Sequence, residues 1–119
     1  MSQKIEICAA VLFVVLPIVT PSVNAQEIPY QKNVSLQIGE SAIIYGVRGN
    51  CGQPAPSWEE IAKQLPTVST GKFSDGGVGT RWSRGCGGPT PARAIQYTAT
   101  ASGNEQLMLF RDPVNIEAK

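Results

Sequence analysis

The chain has no histidine in its 119 residues and only two methionines, one of which is Met1. Without an imidazole it can form neither a Ser-His-Asp triad nor a Cys-His nucleophile, and it lacks the side chain that most often binds zinc and copper. The second methionine, Met108, stands alone, which excludes a methionine-rich copper site. We therefore expect no metal, no cofactor and no enzyme of these classes.

Charge is also scarce, with 16% charged residues and a net charge of +1. That balance points to neither a nucleic acid nor an anionic membrane as a partner. The acids are scattered. The adjacent pair Glu59 and Glu60 points about 100° apart around a helix, so it cannot flank one substrate as a glycosidase pair does. We predict a non-catalytic protein.

No apolar run is long enough to cross a bilayer. The longest such stretch, residues 7–19, has 13 positions, whereas a spanning helix needs about 20. Lys4 precedes it, and the small residues of "VNA" at 23–25 follow. This order is typical of a signal peptide at residues 1–25, with an uncleaved anchor as the alternative. We expect an exported protein, periplasmic or alternatively extracellular, with no membrane span after cleavage.

Removing 25 residues from 119 leaves 94, which suits a single domain at residues 26–119. Of the three cysteines, Cys8 lies in the leader, so Cys51 and Cys86 remain. An even number in an exported chain predicts a disulfide bond. It would stabilise the domain by roughly 4 kcal/mol through the loop that it closes. The alternative, a redox-active pair, is disfavoured because such pairs are usually spaced as CxxC.

Alternating apolar residues predict strands near both ends of this domain. "NVSLQIG" places Val34, Leu36 and Ile38 on one face, and "SAIIYGV" follows after a turn. Further on, apolar residues alternate again, a Gly103 turn reverses the chain, and Asp112-Pro113 interrupts pairing before a final strand. We expect a hairpin across the Gly103 turn. The inward residues predicted for this second region are Ile95, Tyr97, Ala99, Val114 and Ile116.

The middle of the chain, residues 46–91, is rich in glycine and proline and is predicted to be largely loop. Within it, "PSWEEIAKQLP" predicts a helix of about two turns, because Ser57 can cap it and Glu60 can complete a capping box. Its apolar face is expected to dock on the sheet, and consists of Trp58, Ile61, Ala62 and Leu65. After this helix we expect short strands around Phe73 and Trp82, joined by a turn at Gly76-Gly77.

The region after residue 95 resembles the last two strands of bacterial immunoglobulin-like and cadherin-like domains. The similarity consists of Tyr97 in Tyr-x-Ala, the Gly103 turn, and Leu107-x-Leu109-Phe110. It implies a mainly β fold, a small antiparallel β-sandwich with one inserted helix and one disulfide, and no catalytic residues. Ala99 stands where antibody-type domains carry a cysteine.

The two cysteine segments, "VRGNCG" and "SRGCGG", each place an arginine just before the cysteine. A disulfide would bring Arg48 and Arg84 to one end of the domain, with further arginines and a tryptophan nearby. Guanidinium groups beside an indole can bind carboxylates, phosphates or acidic sugars. The alternative is that these arginines are solvated or pair with Glu59, Glu60 and Asp75. The candidate binding residues are Arg48, Arg81, Trp82, Arg84 and Arg93.

These observations predict a small exported binding domain that recognises a protein or an anionic envelope component through its disulfide-tied loops. Two alternatives stay open. The loop held by the disulfide could bind in the active site of a hydrolase and inhibit it, because a rigid loop loses less entropy on binding. An exposed sheet edge could instead pair with another chain, which would make the protein a structural accessory subunit.

Overall fold

A computed structural model describes residues 26–119, which form six strands and one short helix. The predicted signal peptide lies outside the described residues. In chain order the elements are β1 (Asn33–Leu36), β2 (Ser41–Arg48), α1 (Trp58–Ala62), β3 (Gly71–Ser83), β4 (Gly88–Ala99), β5 (Gly103–Leu109) and β6 (Asp112–Ala118).

The strands form two three-stranded sheets, ordered β1-β6-β5 and β2-β4-β3. Residues from both sheets contribute to one core, so the predicted mainly β, sandwich-like fold with a disulfide is confirmed. One detail differs from the expected antiparallel arrangement, because β1 pairs in parallel with β6. Parallel neighbours need a long connection, and all the chain between β1 and β6 provides it.

The core is formed by the alternating residues that the sequence predicts. Val34, Leu36 and Ile116 are buried between the sheets, as are the other predicted inward residues. Ile38 was expected to be among them, but it is 48% exposed. The reason is that β1 ends at Leu36 and the chain turns at Gly39, whose φ of 95° is in the left-handed region that favours glycine.

The hairpin expected across the Gly103 turn is not formed, because β4 and β5 belong to different sheets. The intervening residues carry the chain from one sheet to the other, and the N–H groups of Thr100 and Ala101 both donate to the Thr70 carbonyl oxygen. The hairpin lies one strand later, between β5 and β6. Its turn residues, Phe110 and Arg111, have φ values of 50° and 77°. Such a two-residue turn favours Asn-Gly or Asp-Gly, so the Phe-Arg pair gave no signal of it.

Pro113 lies near the start of β6, and its position explains how it is accommodated. The pairing of β6 with β1 begins at Asn115, so no strand neighbours Pro113 on the side where its N–H is missing. On that same side, the Tyr30 hydroxyl donates to the Pro113 carbonyl oxygen at 2.5 Å. The predicted interruption at Asp112-Pro113 is wrong for the β5 side, where both residues pair without a break, and only the β1 side lacks a neighbour.

The segment around Phe73 and Trp82 is one 13-residue strand, β3, not two short strands joined by a turn. The expected Gly76-Gly77 turn is a β-bulge, across which the register with β4 shifts between Asp75 and Val78. Gly77 adopts a φ of 92°, and its N–H donates to Asp75 Oδ1 at 2.8 Å. Glycine and aspartate thus bend the strand without ending it.

The real turn between β3 and β4 comprises residues 84–87 and includes Cys86. The N–H of Gly87 donates to the Ser83 carbonyl oxygen at 2.9 Å, and Gly87 has a φ of 74°. Strand therefore occupies much of the region that was predicted to be loop.

The predicted helix is present but shorter than two turns, with five residues. Ser57 Oγ accepts a hydrogen bond from the Glu60 N–H at 3.2 Å, which confirms the cap. No hydrogen bond from Ser57 N–H to the Glu60 side chain completes a capping box within the described residues. Ile61 is 1% exposed and docks the helix on the core, whereas Ala62, expected on the same face, is exposed. Trp58 and Leu65 pack against the core as predicted.

Residues 26–31 form a segment that we call the N-terminal strap. Thr80 N–H donates to the Gln26 carbonyl oxygen and Ile28 N–H donates to the Thr80 carbonyl oxygen, both at 2.8 Å. Farther along, Gln31 N–H donates to the Ile44 carbonyl oxygen at 2.9 Å. The strap therefore links β3 to β2. Between those contacts the Ile28 side chain packs with Ile43, Ala92 and Ala94 in a small second core.

Candidate functional site

The disulfide bond joins Cys51 and Cys86, whose Cα atoms are 5.6 Å apart, as the sequence predicts. Cys51 lies in the loop after β2, and Cys86 lies in the turn between β3 and β4. The bond thereby ties together two connections at one end of the domain. Arg48 and Arg84, which precede the two cysteines, are both exposed at this end.

Arg48 and Trp82 are in direct contact beside the disulfide. Arg48 Nη1 donates to the Trp82 carbonyl oxygen at 2.6 Å. The indole of Trp82 is not covered by this contact, since the residue is 58% exposed. A guanidinium has five N–H donors, so this bond leaves most of the donors of the exposed Arg48 side chain for a ligand.

Arg81, the neighbour of Trp82 in β3, is held more tightly. Its Nη1 donates to the Gly46 carbonyl oxygen at 2.8 Å, and its Nη2 lies 3.7 Å from Asp112 Oδ2. The guanidinium also lies 4.6 Å from the ring centroid of Tyr45 and 5.8 Å from that of Tyr30. With a side chain only 17% exposed, Arg81 contributes positive charge behind the surface.

Tyr45 connects this arginine to the β5–β6 turn. Its hydroxyl donates to Asp112, and its ring stacks on Phe110 at a centroid distance of 6.1 Å. Burial raises the pKa of Tyr45, and the hydrogen bond to Asp112 raises it further, while Arg81 opposes both effects. Tyr45 is therefore a neutral donor that fixes Asp112 against Arg81. Tyr30 packs edge-on against it with centroids 5.6 Å apart.

Around these groups is an open pocket of about 440 Å³, which we call the recognition pocket. The strap supplies one wall, and the ends of β2 and β3 supply the other. Its lining residues are Glu27, Ile28, Pro29, Tyr30, Arg48, Arg81 and Trp82. The structure thus brings together three of the five predicted residues. The pocket carries two arginines and one carboxylate.

Arg93 and Arg84 lie outside this pocket. Arg93 Nη1 contacts both carboxylate oxygens of Asp75 at 3.1 and 3.2 Å, and its Nε donates to the Pro56 carbonyl oxygen at 3.0 Å. Arg93 therefore joins the bulge of β3 to the segment before α1, which is the ion-pair alternative that the sequence left open. Arg84 is exposed in the turn at residues 84–87, and its backbone carbonyl oxygen accepts a bond from Gly87 N–H at 3.2 Å.

A second polar cluster surrounds Glu105. The N–H groups of Ser69 and Thr70 donate to its carboxylate at 3.0 and 2.9 Å, and the Thr70 hydroxyl donates as well. Burial acts to raise the pKa of Glu105, but these hydrogen bonds outweigh it and lower the pKa overall. The neighbouring Tyr97 is fully buried. We interpret the cluster as structural, because the carboxylate fastens the loop before β3 to β5.

Sequence reasoning missed Tyr30, Asp112 and the strap as parts of the site. Tyr30 and Asp112 are 82 residues apart, and no local pattern connects them. The hydrogen bond from Tyr30 to Pro113 and the turn at Phe110 bring them together. The sequence contains no indication of the parallel pairing of β1 with β6, because periodicity does not reveal which strands are neighbours.

No family model, curated protein or solved structure matches this chain. The similarity to bacterial immunoglobulin-like and cadherin-like domains therefore stays a prediction. Across residues 26–119, no helix has the length and apolar character needed to cross a membrane.

Proposed function

We propose that this protein is an exported, non-catalytic binding domain that recognises a protein or an anionic envelope component in the recognition pocket. The observation that carries the proposal is that the exposed Arg48 side chain, held by the Trp82 carbonyl oxygen, lines the same pocket as the exposed Trp82 side chain. A forked cation next to an aromatic ring favours a planar anionic group that can take paired hydrogen bonds and stack.

The surroundings of these two residues support an anionic ligand. Arg81 adds a second positive charge whose own contacts keep it in place, so it need not rearrange on binding. Among the described residues that line the pocket, Glu27 is the one acid, and it lies in the strap. We expect an anion to enter from the Arg48 and Trp82 side, away from Glu27.

Export to the periplasm, or alternatively beyond the cell, is part of this proposal. It is supported by the disulfide, because such bonds persist in oxidising compartments, and by the signal-like order of residues 1–25. The immunoglobulin-like resemblance is compatible with it but adds no site residue.

The proposal is tested with Arg48→Ala and Trp82→Ala, assayed by co-sedimentation with the native cell-envelope fraction. Each change should weaken retention by about tenfold or more, since a charge-assisted contact or a stacking contact is lost. Arg48→Lys should recover only part of the loss, because lysine cannot donate in a fork. The melting temperature should stay nearly unchanged in all three variants.

The matched control is Lys72→Ala, which removes an exposed cation at the opposite end of β3. It should retain full binding. If Arg48→Ala and Lys72→Ala bind as the unaltered protein does, the recognition pocket is not the binding site.

Inhibition of a hydrolase is a second candidate, favoured by the loop that follows β2. Residues 50–54 are all exposed, and the disulfide at Cys51 holds them to the turn before β4. Such bracing reduces the ordering cost of binding. A panel of secreted hydrolases tests this candidate, with Gln53→Ala and Pro54→Ala as variants that should lose inhibition while Arg48→Ala keeps it.

A further inference from the structure

Three of the four edge strands carry a feature that opposes pairing with another chain. β1 is only four residues long. β2 has a register shift between Ile43 and Tyr45, and the strap bonds to it at Ile44. β3 has the bulge before Val78, and its edge is occupied by the strap at Thr80. Short length, irregularity and coverage are the usual means by which proteins protect sheet edges.

The fourth edge strand, β5, has none of these protections. Its register with β6 runs without interruption from Gly103 opposite Ala118 to Leu109 opposite Asp112. Its sequence, GNEQLML, contains no proline, lysine or arginine. Its one charged residue, Glu105, is bonded to Ser69 and Thr70. β5 is therefore a regular strand whose only charge is already engaged.

The turn after β5 fixes which of its backbone groups point outward. In a hairpin with a two-residue turn, the flanking pair, here Leu109 and Asp112, exchanges both hydrogen bonds. The backbone N–H and C=O groups of alternate residues then point away from β6. In β5 these residues are Asn104, Gln106 and Met108. The same alternation directs the Asn115 N–H of β6 toward the other neighbour, where it donates to the Lys32 carbonyl oxygen at 2.7 Å.

These outward-facing groups are accessible. Asn104, Gln106 and Met108 are all exposed, and Met108 is 61% exposed although it is apolar. Among the described residues, no main-chain hydrogen bond from a loop or from the strap reaches any of the three. The edge therefore presents a row of free N–H and C=O groups.

We propose that this edge pairs with the same edge of a second copy, in antiparallel orientation about a two-fold axis. Gln106 would lie opposite Gln106 of the second copy, and Met108 opposite Asn104. A homodimeric edge must be complementary to itself. β5 meets this condition, because it is regular and has no free charge that would repel its own copy. The result is a continuous six-stranded sheet, formed independently of the recognition pocket.

The test exploits the direction of the Gln106 N–H. Gln106→Pro deletes an outward donor without removing a bond to β6, so the fold should survive while the dimer weakens. Sedimentation equilibrium of the disulfide-bonded domain should show a concentration-dependent dimer, and Gln106→Pro should raise its dissociation constant by about tenfold or more. Gln106→Ala, which keeps the N–H, should change it much less. Circular dichroism and the melting temperature confirm folding.

A second variant keeps the test decisive if Gln106→Pro does not fold. Met108→Lys leaves every backbone donor in place but adds a charge to each edge, and it should also dissociate the dimer. A domain that is monomeric at every concentration overturns the proposal, even if β5 then captures a strand of another protein. A dimer that survives both Gln106→Pro and Met108→Lys overturns it as well, since the contact must then lie elsewhere.

Discussion

At the scale of single residues, the two arginines of the recognition pocket have different surroundings. Arg81 is enclosed by the Gly46 carbonyl, Asp112 and two tyrosine rings, whereas Arg48 makes one backbone contact and is otherwise exposed. A residue whose donors are already occupied contributes to the fold. A residue whose donors are free can contribute to binding. Arg48 is therefore the better site for mutagenesis, and Arg81 the residue whose loss would disturb the structure.

Glu105 offers a test of stability at the same scale. Replacing it with glutamine keeps its shape but weakens the charge-assisted contacts that it accepts from Ser69, Thr70 and Tyr97. Glu105→Gln should therefore lower the free energy of unfolding by about 1–3 kcal/mol at pH 7. Urea denaturation measures this loss. The control is Glu117→Gln, because Glu117 is exposed and makes only long contacts, at 3.9 Å with Lys119 and 3.4 Å with the Ser35 hydroxyl. It should change stability little.

The lowered pKa of Glu105 also predicts how the effect depends on pH. A carboxyl group with a lower pKa in the folded state stabilises the fold above its ordinary pKa of 4.5, and that stabilisation is lost as the pH falls through the folded-state value. The difference in stability between the unaltered protein and Glu105→Gln should therefore shrink below about pH 4.5. A difference that is constant from pH 7 to pH 3 would contradict this assignment.

At the scale of elements, the sequence predicted most strands but not their partners. Strict alternation located β1 and the inward residues of β4, the β-branched and aromatic residues located β2, and a serine cap located α1. The turn predictions were wrong where residue type does not determine backbone conformation. Gly76-Gly77 bends β3 as a bulge although a double glycine usually indicates a turn, and Phe110-Arg111 turns the chain without any turn residue. Periodicity reports which residues are buried, not which strand lies beside them.

The strap gives a prediction at the scale of elements. A Cβ atom at Gly79 would lie 2.5 Å from the Gln26 carbonyl oxygen and 2.8 Å from Ile28 Cγ1. Gly79→Ala should therefore displace the strap and destabilise the domain by about 1–3 kcal/mol. Gly85→Ala is the matched control, since nothing lies within 4 Å of a Cβ there. Hydrogen exchange should show faster exchange at the Ile28 amide in Gly79→Ala; protection equal to that of Gly85→Ala would contradict the packing described.

At the scale of the whole molecule, both the disulfide and the β2-β4-β3 sheet position the pocket residues. The sequence predicted that Arg48, Arg81 and Trp82 are neighbours because of the Cys51–Cys86 bond. The structure confirms the bond, but it also shows that all three residues lie in strands that pair with the same strand, β4. The grouping could thus be predicted from the cysteines, although the backbone pairing that supports it could not.

The separate contributions of the disulfide and the strand pairing lead to a prediction for the double variant Cys51→Ala/Cys86→Ala. It should lose roughly 4 kcal/mol of unfolding free energy, because the unfolded chain gains the freedom of a 36-residue loop. Chemical reduction of the unaltered protein serves as the control and should give a similar loss in urea denaturation. In conditions where the double variant is still folded, retention on the envelope fraction should fall by less than that of Arg48→Ala. A complete loss of binding would show that the crosslink, not the sheet, positions Arg48.

The parallel pairing of β1 with β6 has a consequence for the order of events during synthesis. Asn33 lies opposite Asn115, so the strand made first has no neighbour in its sheet until residues more than 80 positions later leave the ribosome. Co-translational completion of that layer is impossible for a nascent chain that stops short of β6. Such long-range closure slows folding. The first sheet strand therefore stays without its partner, and that layer stays open, until β6 has been synthesised.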